Sequence, residues 1–294
     1  MINLWKNRNW SPMLLKELNK PFNSKEHIFE IKFDGIRAII FANKKEIIIK
    51  SRNKTDLTNL FPELQSIKKI VNKNVIFDGE IIYFDKNKES FNKLQKRIHL
   101  KNRKKILNEA KNNPVTFIAF DILYENKNLT NLPLIKRKII LNEYNDNDNF
   151  IKIKYIDEYG INVFKSTKQF KLEGIVAKHK NGKYYINQRT DEYIKIKNIK
   201  SDKFIIGGYE IKKNNILSLA LGEFKNNSFL HVGNASITKN HKLYKKIINM
   251  KKSKNHFSNY NKEITFITPT LFCYVEYLER TKNNHLRHPI IKNA

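Results

Sequence analysis

Acidic residues are scarce in this chain of 294 residues: 28 aspartates and glutamates stand against 57 lysines and arginines, for a net charge of +29. The basic residues are spread along the whole sequence rather than gathered in a tail. That pattern predicts a polyanionic partner, most simply nucleic acid. An AT-rich coding sequence would inflate lysine, asparagine and isoleucine, but it would not explain the shortage of acids. Cysteine occurs once, as Cys273, which excludes an intrachain disulfide and any multi-cysteine zinc site. It lies in the apolar run Leu271-Phe272-Cys273-Tyr274-Val275 and reads as a core residue. Met1 to Trp10 has no apolar segment of the signal-peptide kind. No apolar run approaches the ~20 residues that span a bilayer, and no internal repeat is visible. These absences predict a soluble, intracellular protein of the cytoplasm with no membrane partner.

What is present centres on Glu30-Ile31-Lys32-Phe33-Asp34-Gly35-Ile36-Arg37. Alternate residues of a strand share a face, so Glu30, Lys32 and Asp34 are expected to point one way and Ile31 and Phe33 the other. A charged face inside an apolar strand is costly unless it lines a site. A lysine amine attacks only when neutral, and burial or nearby cations make it available near neutral pH. Asp34 could orient the amine, Gly35 could admit close backbone approach, and Arg37 could grip an oxyanion. Taken alone, the same eight residues fit a surface hairpin with an Asp-Gly turn.

Four further stretches put charge inside apolar strands: Phe77-Asp78-Gly79-Glu80-Ile81, Phe117-Ile118-Ala119-Phe120-Asp121-Ile122-Leu123, Leu172-Glu173-Gly174-Ile175-Val176-Ala177-Lys178 and Tyr193-Ile194-Lys195-Ile196-Lys197. Each has an ordinary reading. Asp78-Gly79 could be a turn, Phe120 a core aromatic, Glu173 and Lys178 an exposed ion pair, and Lys195 and Lys197 a solvated strand face.

The pattern predicts an irregular entry over 1–27, strands over 28–42 and 46–50, and a helix opened by Pro62. A strand over 75–84 is expected to be interrupted at Asp78-Gly79-Glu80. A helix capped by Ser90 should follow, with Phe91, Leu94 and Ile98 inward, then a basic stretch over 99–113 facing solvent or phosphate. Strands over 115–124, 172–178 and 189–197 alternate with helices at 134–144 and around 163–170. Beyond residue 199 short strands dominate, with one helix near 240–250, as in a small β-barrel of oligonucleotide-binding type. The boundary is placed near 198–202.

In sequence, the order K-x-D-G-x-R, S-R, D-G-E, F-x-x-F-D, E-G-x-V-x-K, Y-x-K-x-K resembles the nucleotidyltransferase motifs of ATP-dependent DNA ligases, in spacing as well as order. Ser51-Arg52-Asn53, Phe61-Pro62-Glu63-Leu64, Ser90-Phe91-Asn92, Ile206-Gly207-Gly208-Tyr209 and Leu286-Arg287-His288-Pro289 resemble its bacterial end-joining branch, the ligase domain of ligase D and its stand-alone relatives. The resemblance implies an α+β fold. A nucleotidyltransferase (adenylation) domain of antiparallel sheets with flanking helices would occupy 1–198, and an OB-fold β-barrel 199–294. It implies that Lys32 takes AMP from ATP as a covalent phosphoramide, passes it to a 5′-phosphate, and that a 3′-hydroxyl then displaces it. It also implies that Glu30, Arg37, Arg52, Glu80, Phe120, Lys178, Lys195 and Lys197 bind ATP or AMP, with Phe120 stacked on adenine. Glu80 and Glu173 would hold Mg2+ or Mn2+, and Asp34 and Asp78 would support the site. Lys195 and Lys197 would bind the α-phosphate and repel charge from Lys32. The implied partner is nicked or broken duplex DNA, engaged by a monomer in repair or end joining, alongside repair proteins the sequence does not specify.

Three departures bear on this. Tyr193 stands where the family usually has tryptophan, and Val232-Gly233-Asn234-Ala235-Ser236-Ile237 replaces a glycine-rich turn. The R-x-D-K motif that usually follows L-R-x-P is not found before Lys292-Asn293-Ala294, so lysine adenylylation is expected to be slow, to use a residue such as Arg287, or to be lost. An RNA ligase or an mRNA-capping guanylyltransferase is the alternative enzyme, and a non-catalytic DNA-binding relative is the alternative outside enzymes.

Overall fold

The computed structural model describes residues 3–86, 88–281 and 283–293. Met1, Ile2 and Ala294, at the outer edges of the expected domains, lie outside the described residues. The chain divides into two compact units between Lys197 and Asn198.

The first unit is built on two five-stranded sheets. Its strands are β1 (Leu14–Leu18), β2 (Ser24–Lys32), β3 (Ile36–Ala42), β4 (Ile47–Ser51), β5 (Val75–Ile82), the short pair β6 (Phe84–Asp85) and β7 (Lys88–Glu89), β8 (Thr116–Glu125), β9 (Phe150–Lys152), β10 (Tyr155–Glu158), β11 (Gly174–His179) and β12 (Arg189–Lys197). Its helices are α1 (Phe91–Ile98), α2 (Arg103–Asn112), α3 (Leu134–Asn142) and α4 (Gly160–Gln169). One sheet runs β1-β12-β11-β2-β10 and the other β4-β3-β5-β8-β9. Consecutive strands β2 and β3 therefore belong to different sheets, joined only by Phe33, Asp34 and Gly35.

The two sheets pack face to face. Ile39, Phe41 and Ile76 of one share a core with Ile28, Val176 and Tyr193 of the other. On the far side of the β5 sheet, Leu64 and Ile67 of the 3-10 helix Pro62–Lys69 and Leu94 of α1 join Ile40 and Phe77 in a second core. Beyond the other sheet, Val163 and Phe164 of α4 cover Phe29, Ile175 and Ile196. Each sheet thus has apolar residues on both faces, which is why β5 reads as a near-continuous apolar run.

Several elements differ from the sequence pattern. Within 1–27, β1 pairs in parallel with β12, Leu14 opposite Arg189 and Glu17 opposite Lys195. The β5 strand is not interrupted, because the Asp78 charge is matched by Arg37 rather than released into a turn. Pro62 opens a 3-10 rather than an α-helix. In α1 it is Leu94 and Arg97 that are buried, the latter paired with Glu63 at 3.0 Å. The basic stretch at 99–113 contains α2, where the Asn102 side chain accepts the Lys105 N–H at 3.2 Å and Ile106 is buried.

The second unit is one antiparallel sheet of β13 (Lys200–Lys212), β14 (Ile216–Lys225), β15 (Ser228–Ile237), β16 (Thr265–Tyr277) and β17 (Ile290–Asn293), with α5 (Leu243–Ile248). The order is β15-β14-β13-β16-β17, and the Leu286 N–H donates to Val232 O at 2.6 Å. This curled half-barrel is an OB-fold sheet. Where the pattern predicts only short strands, Thr265–Tyr277 forms the single long β16. It passes Pro269 where its register with β13 shifts between Ile206 and Gly208, the kind of irregularity that tolerates a residue without an N–H. No helix among the described residues is long and apolar enough to cross a membrane.

Candidate active site

Cross-strand partners share a face. Lys32 lies opposite Gly174, and Gly174 opposite Lys197. Glu30, Val176 and Lys195 form the next row, and Ile28, Lys178 and Tyr193 the next. On the facing sheet Arg37 lies opposite Glu80, and Ile39 opposite Asp78. Because Ile28, Tyr193 and Ile39 all belong to the core between the sheets, the charged residues of four motifs occupy the two inward faces. Glu30 and Lys32 do share a face; Asp34 lies past the end of β2, in the link to the other sheet.

Lys32 Nζ donates to Glu173 Oε2 at 2.6 Å. The residue after Glu173 has to be glycine: Gly174 has φ +149°, and a Cβ there would stand 2.1 Å from Ile196 O. Arg37 grips Asp78 with two bonds of 3.0 and 2.7 Å, and the Tyr184 hydroxyl donates to the same carboxylate at 2.7 Å. Asp78 is fully buried, so this pairing is what allows its charge inside the sheet. Burial pushes the Glu80 carboxyl up to about 8, with Glu173 and Asp78 adding to the effect and Lys32 and Arg37 opposing it.

Phe120 is flanked by cations: Lys178 Nζ lies 4.4 Å from its ring centroid and the Arg37 guanidinium carbon 5.3 Å. Lys178 also donates to Glu30 at 2.7 Å, while the second Glu30 oxygen is taken by Lys138 of α3. Burial, helped by Lys138 and opposed by Glu30, brings the Lys178 ammonium down to about 8. Lys195 and Lys197 both reach Glu17 of β1, at 2.8 and 3.0 Å. Their charges outweigh the effect of burial and hold the Glu17 carboxyl below its usual range. Arg52 is exposed in the turn after β4, where its backbone N–H donates to Arg37 O at 3.2 Å.

Sequence reasoning missed Glu17, Lys138, Tyr184 and Arg137; it placed Asp121 and Tyr193 in motifs but not their joint pairing with Arg137. Arg137 and Asp121 are fully buried and joined by two bonds of 2.8 and 2.9 Å. The only signal was a basic residue recurring in an otherwise apolar helix, Leu134-Ile135-Lys136-Arg137-Lys138-Ile139-Ile140-Leu141, which reads as a solvated face.

Among the described residues no three or more His, Cys, Asp or Glu side chains gather as a metal cage. Glu80 and Glu173 are two carboxylates near one lysine: Lys32 bonds Glu173 at 2.6 Å, and its charge also acts on Glu80. Magnesium usually takes one or two carboxylates and fills the remaining positions with water and phosphate oxygens. The donor set fits that mode.

The family model for the ATP dependent DNA ligase domain matches residues 12–197, and that for the ATP dependent DNA ligase C terminal region matches 212–294. The chain is 30% identical over 283 residues to the SPbeta prophage-derived DNA ligase-like protein LigB of Bacillus subtilis, covering 95% of this chain and 96% of that one. It is 27% identical to the multifunctional non-homologous end joining protein LigD of Mycolicibacterium smegmatis, covering 96% of this chain but 38% of the relative. Among solved structures, a mycobacterial DNA ligase D complexed with ATP and MES matches with a TM-score of 0.59 and 21% identity over 97% of this chain and 94% of that one. A Lig E DNA ligase matches with a TM-score of 0.65 and 17% identity, over 96% and 98%.

Proposed function

The chain belongs to the ATP-dependent DNA ligases, and from that membership we propose that Lys32 is its nucleophile and that the inward faces of the two sheets hold ATP. The observation that carries this reading is the placement of Lys32. It ends β2, just before the three-residue link to the other sheet, in contact with Glu173 and in the same cross-strand row as Lys197.

The chemistry has three steps. The Lys32 amine attacks the α-phosphorus of ATP, a phosphoramide P–N bond forms, and pyrophosphate leaves with the electrons of the broken P–O bond. A 5′-phosphate oxygen at the DNA break then attacks that phosphorus, breaks the P–N bond and frees Lys32. The 3′-hydroxyl loses its proton and attacks the activated 5′-phosphate, and AMP departs as the phosphodiester forms.

Lys32 can attack only through a nitrogen lone pair, so its contact with Glu173 must be exchanged first. Glu80 and Glu173 would hold a divalent cation, Mg2+ or Mn2+, which neutralises phosphate charge when bound. Lys195 and Lys197 would leave Glu17 for the α-phosphate and stabilise the charge that develops there. Arg37 would bind the ribose region, Arg52 the nucleotide or the phosphate at the break, and Phe120 the adenine face. Glu30 and Lys178 form the floor beneath that ring, and Asp34 and Asp78 support the frame.

Residues 1–198 would serve as the adenylation domain, and 199–294 would bring a basic OB surface onto duplex DNA. With LigD-type proteins among its relatives, a role in end joining or repair, as a monomer, follows as part of the same proposal.

The test is incubation with α-labelled ATP or GTP and magnesium, followed by a denaturing gel. A stable label from ATP that is lost in Lys32→Ala is expected. A label from GTP would indicate capping chemistry, and ATP labelling that survives Lys32→Ala would remove Lys32 from its role.

A further inference from the structure

Glu89 belongs to no ligase motif identified in the sequence. It ends the short β6–β7 pair, opposite Phe84. Its Oε2 accepts the backbone N–H of Asp34 at 2.7 Å, across 55 residues of chain. Among the described residues its other oxygen is buried without a hydrogen-bond partner. Native proteins seldom leave a buried carboxylate oxygen in that condition.

The place of that contact gives it meaning. Lys32 is the last residue of β2, and Arg37 is the second residue of β3 in the facing sheet. Three residues, Phe33 to Gly35, are the whole covalent link between the strands that carry them. Lys32 therefore faces Glu80 and Arg37 at an angle and distance set by how that link is held. Gly35 rests directly on the end of β5: a Cβ there would stand 2.3 Å from Ile81 O and 2.9 Å from Glu80 Cγ. Glu89 holds the adjoining Asp34 amide. The link is thus fixed by β5 at Gly35 and by the β6–β7 pair at Asp34.

We propose that Glu89 is a positioning residue for the ligase nucleophile, fixing the Asp34 backbone so that Lys32 meets the α-phosphorus in line. This rests on the assignment of Lys32 as the residue that carries AMP. Glu89 does not touch the reacting atoms; it acts through the main chain. Burial pushes its carboxyl up to about 7, with Asp34 and Glu173 adding to the effect and the Asp34 N–H and Lys32 opposing it. The acceptor for the Asp34 N–H persists in both protonation states, so the geometry does not depend on the charge.

The test compares Glu89→Ala and Glu89→Gln in single-turnover lysine labelling with α-labelled ATP and magnesium, and in sealing of a pre-adenylylated nick. Sealing of that nick does not use Lys32 as nucleophile. Glu89→Ala is expected to slow labelling by about 10- to 100-fold, as misplacement of a nucleophile does, with half-saturating ATP unchanged and pre-adenylylated sealing within about threefold of the parent. Glu89→Gln keeps an acceptor oxygen and is expected to restore labelling to within about threefold. Labelling by Glu89→Ala at the parental rate overturns the proposal. So does a parallel loss in both assays, which would mark a general structural role, or a glutamine variant as slow as the alanine one. If the parent chain takes no label while Glu89 is intact, the assignment of Lys32 fails and this inference falls with it.

Discussion

The Lys178 ammonium stands 4.4 Å from the centroid of the Phe120 ring while bonding to Glu30 at 2.7 Å. A cation over an aromatic face is attracted to the ring quadrupole, more so when desolvated. Here the pair also fixes where the ring lies between the two sheets. The polar residues beside the ring are matched to one another, so under the proposed function the ring is the part of this wall that would meet a base.

Loss of that ring should therefore be felt in binding before chemistry. Stacking of a base on an aromatic contributes about 1–3 kcal/mol. Phe120→Ala is expected to raise half-saturating ATP in Lys32 labelling by about 10- to 100-fold, with a smaller fall in the rate at saturation. Phe120→Tyr should stay close to the parent. A titration of labelling against ATP concentration separates the two parameters, and an unchanged half-saturation would take Phe120 out of the base site.

Glu17 holds Lys195 and Lys197 at 2.8 and 3.0 Å, and its side chain is about a third exposed. Partly exposed pairs of this kind add little stability, about 0–1 kcal/mol. Their effect should appear in polyanion binding, where two lysines now neutralised by one carboxylate would be released. Glu17→Gln is expected to melt close to the parent but to bind nicked duplex more tightly in low salt. Its log–log salt dependence should be steeper by about one to two units. Because the lysines depress the Glu17 carboxyl, its contribution is complete above the ordinary value of 4.5 and fades as pH falls through the lower folded value. Acidification below that range should therefore bring parent and variant together. Fluorescence anisotropy across a KCl series checks the first claim, and repeating it toward low pH checks the second.

How much of this was legible beforehand depended on whether a signal was local. Lys32, Glu80, Glu173 and Lys178 stood out because each interrupts its own apolar strand, and a charge there needs a reason. The reason itself was not local. The family resemblance makes Glu30 a nucleotide contact, yet both its oxygens are engaged by Lys138 and Lys178, one of them on a helix more than a hundred residues away. Glu17 sits in Leu14-Leu15-Lys16-Glu17-Leu18, too short and too charged to read as a strand until β12 supplies its partner. The same holds for α2, whose Asn102 cap is visible but in which Ile106 is the one buried residue. Arg137 is obscure for the opposite reason: its charge is matched only in three dimensions, so in sequence it reads as solvated.

That buried arginine leads to the last expectation. Asp121 of β8 receives two bonds from Arg137 of α3, at 2.8 and 2.9 Å, and one from the Tyr193 hydroxyl of β12. The set ties both sheets and a helix together where Lys178 passes the Tyr193 ring at 4.6 Å. Burial alone would push the Asp121 carboxyl up; the Arg137 guanidinium prevails and holds it below its usual value. Removing one partner leaves the other charge buried, which costs about 3–5 kcal/mol. Asp121→Ala is accordingly expected to lower the melting temperature by many degrees. The combined replacement Asp121→Leu, Arg137→Met, Tyr193→Phe should recover most of the loss, since an apolar set of similar volume strands no charge. A depressed folded pKa stabilises fully above the ordinary aspartate value near 3.8 and is lost as pH falls through the folded one. The triple variant should therefore lose less stability than the parent on acidification. Thermal melts from neutral to strongly acidic pH decide the matter. If the triple variant is as unstable as Asp121→Ala, the network is held by shape rather than by charge balance.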